Sequence, residues 1–310
     1  MSPKQLQAIA AVLVLVLLLW GASERFSRGP DTVTGSLALP ALAPDGVDTV
    51  AVVKGLDSIV LAKQSATAWT VNGRRAALDA VTELLQALDD SAPPELVAQD
   101  SSSFTRLGVD SVGGTWLRVH GGGKPLAWLI VGRPAGEHAS VYVRRAGDSH
   151  VYLWRGRVAS LVNRGADDWR DKRIATVELD SVVAVDVERG KDRYALTRGG
   201  TAWTLNGAAT DSSALARALE KYRAVVATGF ATPAQADSAK ARRPARRLVL
   251  RDGRGTTLVS LAFDSLPGGF VVRRTGGTAP GGEPGTAYRM NAWDVDGLTP
   301  ASRSLLASHR

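Results

Sequence analysis

Thr67-Ala68-Trp69-Thr70-Val71-Asn72-Gly73 returns as Thr201-Ala202-Trp203-Thr204-Leu205-Asn206-Gly207, 134 residues further along the chain. Seven positions match with one conservative change, and the match is centred on tryptophan, a scarce residue. The same offset carries Val81, Leu85 and Leu88 of one helical pattern onto Leu215, Leu219 and Tyr222 of another. A period this long does not suit a solenoid and points to a duplicated domain. With 310 residues there is room for two domains of roughly 100–200 residues each.

Around each copy the pattern is strands, one helix, then more strands. Thr49–Val53, Ser58–Leu61 and Ala68–Val71 read as an antiparallel meander that ends on the turn signal Asn72-Gly73. Residues Ala77–Leu88 then place Leu78, Val81, Leu84, Leu85 and Leu88 on one helical stripe, which should cover a sheet face. Pro93-Pro94 stops the helix, and strands follow at Trp116–His120, Ala127–Val131, Val141–Arg144 and His150–Trp154. The second half retraces the order with Val182–Val187, Tyr194–Thr197, Ala202–Leu205, a helix over Ser213–Tyr222, and strands at Leu248–Arg251, Thr257–Phe263 and Gly269–Arg273. Asp211-Ser212-Ser213 is a helix-start signal, because short side-chain oxygens accept from the first free amides. Tyr142-Val143-Arg144-Arg145 is echoed by Val271-Val272-Arg273-Arg274. The expected fold class is α+β: two repeated modules of mainly antiparallel β-sheet with a covering helix, plus an N-terminal transmembrane helix. The expected divisions are an anchor over residues 1–30, a tether and first module over 31–178, and a second module over 179–310.

The anchor is read from Leu6–Ala22, 17 residues with Gln7 alone polar and Trp20 at the end, the short limit for a bilayer-crossing helix. A cleaved signal peptide is the competing reading, since Lys4 precedes the run and Gly21-Ala22-Ser23 supplies small residues for cleavage. The run is longer than a typical signal core, which favours an uncleaved anchor. A short tail before a single signal-like helix stays cytoplasmic as a rule, which places residues 31–310 outside the cytoplasm and the anchor in the inner (cytoplasmic) membrane. Residues 27–44, rich in Pro, Gly and small polar residues, read as a tether.

Composition excludes some chemistry. There is no cysteine, so disulfides, thiolate nucleophiles and cysteine-ligated metals are ruled out. His120, His138, His150 and His309 show no metal-ligand spacing, and no G-x-S-x-G element is present. Gly121-Gly122-Gly123-Lys124 lacks the phosphate-loop spacing and reads as a hairpin turn. Asp167, Asp168 and Asp171 are surrounded by Arg164, Arg170, Lys172 and Arg173, which reads as a salt-bridged junction. Trp69 and Trp203 lie in repeated strands and read as core. No catalytic residue, metal or cofactor is expected.

The formal charge is +8, and residues 179–310 hold 19 basic against 12 acidic side chains. Lys240, Arg242, Arg243, Arg246, Arg247, Arg251 and Arg254 form its centre, with Asp252 the one acid within that run. Such a run is either a solvated surface or a seat for an anionic ligand or partner. It has no interleaved aromatics, so nucleic acid is not an expected partner.

One N-terminal membrane helix, a strand with Trp-Thr-x-Asn-Gly, a helix, a Leu-Gly segment, a strand such as Val141-Tyr142-Val143-Arg144, and Trp169-Arg170-Asp171-Lys172-Arg173-Ile174 form an ordered set. It resembles the tandem proteins called domain of unknown function 4340. Where that family carries an aromatic-Gly-Leu segment followed by Pro, this chain has Phe104-Thr105-Arg106-Leu107-Gly108-Val109. The resemblance implies a companion of ABC-type export systems and brings no catalytic residues. The expectation is therefore a non-catalytic, membrane-anchored accessory or scaffold protein of the envelope. Its partners would be membrane lipid through residues 6–22 and ABC-type transporter subunits. A module binding an acidic envelope ligand through the basic second repeat is the alternative, and a hydrolase the third reading.

Overall fold

A computed structural model of the chain describes residues 42, 44–89, 94–136 and 139–307. The apolar run 6–22, the tether up to residue 41, His138 and His309 lie outside the described residues. Among those described, no helix is long and apolar enough to cross a membrane.

Among the described residues the first sheet has nine strands: β1 (Thr49–Lys54), β2 (Asp57–Ser65), β3 (Ala68–Val71), β4 (Arg74–Arg75), β5 (Glu95–Ala98), β6 (Thr115–Gly121), β7 (Lys124–Pro134), β8 (Ser140–Arg145) and β9 (Val151–Arg155). β10 (Arg173–Thr176) follows, and later pairs with β15 in a small two-stranded sheet. The second large sheet begins with β11 (Ala184–Arg189), β12 (Asp192–Gly199), β13 (Ala202–Leu205) and β14 (Ala208–Ala209). After β15 (Ala224–Val226) it is completed by β16 (Gly229–Phe230), β17 (Arg246–Arg251), β18 (Thr257–Leu266), β19 (Gly269–Gly276) and β20 (Ala287–Asn291). The strand orders are β4-β3-β2-β1-β6-β7-β8-β9-β5 and β14-β13-β12-β11-β17-β18-β19-β20-β16, the same path followed twice. The pairings along both sheets are antiparallel, so the fold is α+β with two sheet modules.

The repeated sequence builds repeated local structure. Asn72 and Asn206 take φ of 48° and 49°, and Gly73 and Gly207 follow at 76° and 86°, the consecutive left-handed pair that a tight hairpin turn requires. Ala76 N–H donates to the Trp69 carbonyl at 2.9 Å, while Thr210 Oγ1 donates to the Trp203 carbonyl at 3.0 Å. The next residue in each copy is also tied down, Ala77 N–H to Trp169 O at 2.7 Å and Asp211 N–H to Leu305 O at 2.8 Å. The indoles differ. Trp69 is 4% exposed, whereas Trp203 is only partly buried and has Arg198, its cross-strand partner, 5.9 Å from its ring centre.

Helix α1 (Leu78–Asp89) buries Val81, Leu84, Leu85 and Leu88, while Leu78 at its start is 39% exposed. Two short helices, α2 (Phe104–Leu107) and α3 (Val158–Val162), belong to the first half, and α4 (Ala166–Trp169) buries Trp169 completely. α5 (Ser212–Arg223) corresponds to α1. Asp211 caps it, accepting from Ala214 N–H at 2.7 Å, and Leu215, Ala218 and Tyr222 enter the second core with residues of β11, β12, β17, β18 and β19. α6 (Pro233–Lys240) and α7 (Ala292–Leu298) complete the described helices of the second half.

Packing divides the described chain into two compact units. Residues up to Lys63 with Thr82–Arg164 form one; Gln64–Val81 with the residues from Gly165 onward form the other. In the latter, Asp167, Asp168 and Asp171 pair with Arg170, Lys172 and Arg173 at 3.1, 3.7 and 4.0 Å, and Arg170 also reaches Glu283 at 3.6 Å. The glycine run Gly121-Gly122-Gly123 turns β6 into β7, with Gly122 and Gly123 at φ of 58° and 71°.

Candidate functional site

The seven basic residues of the sequence cluster separate in space. Alternation along β17 turns Arg246, Leu248 and Leu250 toward the core and Arg247, Val249 and Arg251 toward the opposite face. Arg246 is fixed by Asp296 at 2.6 Å and Thr299 Oγ1 at 2.9 Å, and it lies 4.9 Å from the Phe270 ring centre. Arg251 pairs with Asp186 of β11, and Arg247 stands directly across from Glu188 of the same strand. Lys240 at the end of α6 reaches Asp237 at 3.6 Å, and Arg254 sits exposed in a turn capped by Asp252, whose Oδ1 accepts its N–H at 2.9 Å. Arg247 and Arg251 line one open cavity of about 450 Å³ with Asp186, Glu188, Arg193, Tyr194 and Asn206, while Arg242 and Arg243 line a separate one with groups the sequence did not point to.

That cavity, about 160 Å³, lies between α6 and strands β18 and β19, and Gln235, Ser238, Ala239, Arg242, Arg243, Ala245, Asp264, Ser265, Leu266 and Val271 line it. It exists because α6 turns small side chains, Ala236 and Ala239, toward the sheet. The helix starts cleanly: Thr232 caps it, Pro233 takes the first turn, and Gln235 Oε1 accepts from Thr232 N–H at 3.0 Å. Arg242 donates to Ser238 Oγ, and Arg243 is exposed.

Asp264 is the unusual member. It is 6% exposed, and Arg273 donates both Nε (3.1 Å) and Nη2 (2.9 Å) to the same oxygen, Oδ2. The other oxygen, Oδ1, is buried and has no hydrogen-bond partner among the described residues. A buried carboxylate oxygen left without a donor is destabilising by about 1–3 kcal/mol, more when charged, so it is a place where a donor belongs.

The first unit fills the corresponding place. Arg144, which matches Arg273 in the echoed strand motif, donates to the carbonyls of Val109 and Asp148, each at 3.0 Å, and stacks 4.1 Å from the Phe104 ring centre. Leu107, Val109, Ile130 and Val151 pack there with Phe104 and Tyr142. Contact is close enough that a Cβ on Gly132 would lie 2.5 Å from the Leu107 carbonyl oxygen. On the same sheet, Arg118 lies 4.8 Å from the Trp128 ring centre and 5.8 Å from that of Trp116, a stacked cation the sequence reading did not single out. Groups of three or more metal-ligating side chains are absent among the described residues.

Against known families, the description "Domain of unknown function (DUF4340)" matches residues 69–244, more than half of the chain. The chain belongs to the DUF4340 family. Comparison with the curated proteins and with the solved structures gives no match. In this DUF4340 protein the matched stretch begins at Trp69 itself. It takes in α6 with Arg242 and Arg243 and stops short of Asp264 and Arg273, so the cavity is assembled from residues on both sides of its end. Asp264 carried a sequence signal: it is a lone acid in Leu261-Ala262-Phe263-Asp264, four consecutive buried residues of a strand covered on both faces.

Proposed function

We propose that this DUF4340 protein is a non-catalytic, membrane-anchored accessory protein of the cell envelope. Residues 6–22 hold it in the inner (cytoplasmic) membrane, and its two sheet modules, outside the cytoplasm, hold or gate a partner. An ABC-type export system is the partner class that the family resemblance implies. The observation that carries this reading is the 17-residue apolar run Leu6–Ala22, preceded by Lys4 and with Trp20 near its end, followed by a Pro- and Gly-rich tether and then by two sheets of identical strand order. A duplicated sheet on a tether suits presentation of binding surfaces. The ion pairs of Arg246, Arg251, Arg170 and Lys172 read as structural supports of such surfaces. Affinity capture of the full chain from membranes in mild detergent tests the reading, with transporter subunits expected in stoichiometric amount. Recovery of the chain alone, or release into buffer without detergent, would sink it.

A second reading has its own observation. Arg242 and Arg243 remain exposed while their neighbours Arg246 and Arg251 are tied to Asp296 and Asp186. Binding of an acidic envelope ligand by the second module would then rest on these two residues, with Arg247 and Arg254 as outer contributors. Replacing Arg242 and Arg243 by Glu should weaken binding to anionic vesicles most at low ionic strength, where screening is least.

A further inference from the structure

We propose that the cavity beneath α6 binds a small zwitterion of amino-acid size, its ammonium group donating to Asp264 Oδ1 and its carboxylate held by Arg242 and Arg243. The inference is independent of the anchoring reading, since it rests only on the described residues of the second unit. The charges in the lining are of both signs, the acid buried and the two arginines exposed. A simple anion would meet the Asp264 carboxylate, and a simple cation would have to pass the two guanidinium groups. An apolar guest would leave Oδ1 without a donor. A molecule with a donor at one end and a carboxylate at the other answers all three. Arg273 holds Asp264 in place through Oδ2 alone, which leaves the buried Oδ1 without a donor, and the Gln235 Oε1 bond to Thr232 leaves its amide N–H groups as further donors for the guest. Ala239, Leu266 and Val271 supply an apolar wall.

Size agrees. The cavity is about 160 Å³, and a protein cavity of about 150 Å³ accepts a benzene-sized molecule. L-Alanine has as many heavy atoms as benzene. In the first unit, Phe104, Leu107 and Val109 occupy the corresponding place and Arg144 bonds to backbone carbonyls, so its described residues form no such site there.

Calorimetry or ligand-observed NMR on the full chain in detergent tests the proposal, with L-alanine as probe and propionate and ethylamine as controls that each lack one pole. L-Alanine should bind, and each control should bind about tenfold more weakly, the effect of losing one charge-assisted hydrogen-bonded contact. Arg242→Ala with Arg243→Ala removes exposed side chains and leaves the core intact; it should erase the advantage of L-alanine over ethylamine. Asp264→Asn should erase its advantage over propionate. Absence of L-alanine binding at millimolar concentration overturns the proposal and leaves the cavity to solvent. Propionate binding as tightly as L-alanine also overturns it, because the site would then select anions, as would unaltered binding by the double arginine variant.

Discussion

Replacing Trp69 by alanine removes a side chain that is 4% exposed in the strand that opens the repeat. A tryptophan buries about 150–250 Å², worth about 4–6 kcal/mol at about 25 cal/mol per Å². The alanine methyl and partial collapse of the site recover some of this, so the expected loss is about 3–5 kcal/mol. Trp203 holds the same strand position but is partly solvated beneath Arg198. Water refills a site of that kind, the cavity contribution drops away, and about 2 kcal/mol remains. Urea unfolding of the full chain in detergent, followed by far-UV circular dichroism, reads both variants. The reasoning is refuted if Trp69→Ala leaves the unfolding curve unchanged, or if Trp203→Ala is the more destabilising of the two.

Arg246→Ala breaks bonds to Asp296 and Thr299 from a side chain 14% exposed and should lower stability by about 1–3 kcal/mol, the half-exposed Asp296 moderating the effect. Arg243→Ala, on the surface, should stay within about 0.5 kcal/mol in the same unfolding assay. His120 titrates below its ordinary 6.5, chiefly because burial disfavours the charged ring and secondarily because Arg118 stands near, with Asp48 acting in the opposite sense. The unfolded chain therefore takes up this proton first: the contribution to stability is complete above about 6.5 and is lost as the pH falls through the folded value. NMR titration of the His120 ring checks it, and a midpoint above 6.5 would be contrary.

The fold was legible where local chemistry and tertiary structure agree. Asn72-Gly73 and Asn206-Gly207 demand a left-handed pair, Asp211 caps the helix it precedes, and the two Ala-Trp-Thr strands fall at the residues expected. Helix α6 escaped because it has no apolar stripe, only Ala239 being buried, although Thr232 and Gln235 carry the capping-box spacing. Strands β5, β16 and β20 were not expected either. The first two are short edge strands held by one partner each, and their pattern is too brief to show a period. For the basic cluster, counting acids along the chain found Asp252, whereas the acids that hold Arg246 and Arg251 arrive from α7 and β11, 50 and 65 residues away. Sequence proximity says nothing about such cross-element neighbours. Asp264 shows in the sequence as a lone acid in an apolar strand, but the cavity it lines does not, because that cavity appears only once α6 lies over β18 and β19.

The central claim, that the modules sit outside the cytoplasm on a membrane anchor, meets its most direct test through the absence of cysteine from the chain. Leu56, in the turn between β1 and β2, is fully exposed at 105%. Leu56→Cys therefore creates a single thiol for a membrane-impermeant maleimide. Labelling in intact spheroplasts as complete as after lysis, with the protein retained in the membrane pellet, is the predicted result. Labelling only after lysis, or a protein found in the soluble fraction, would contradict the account.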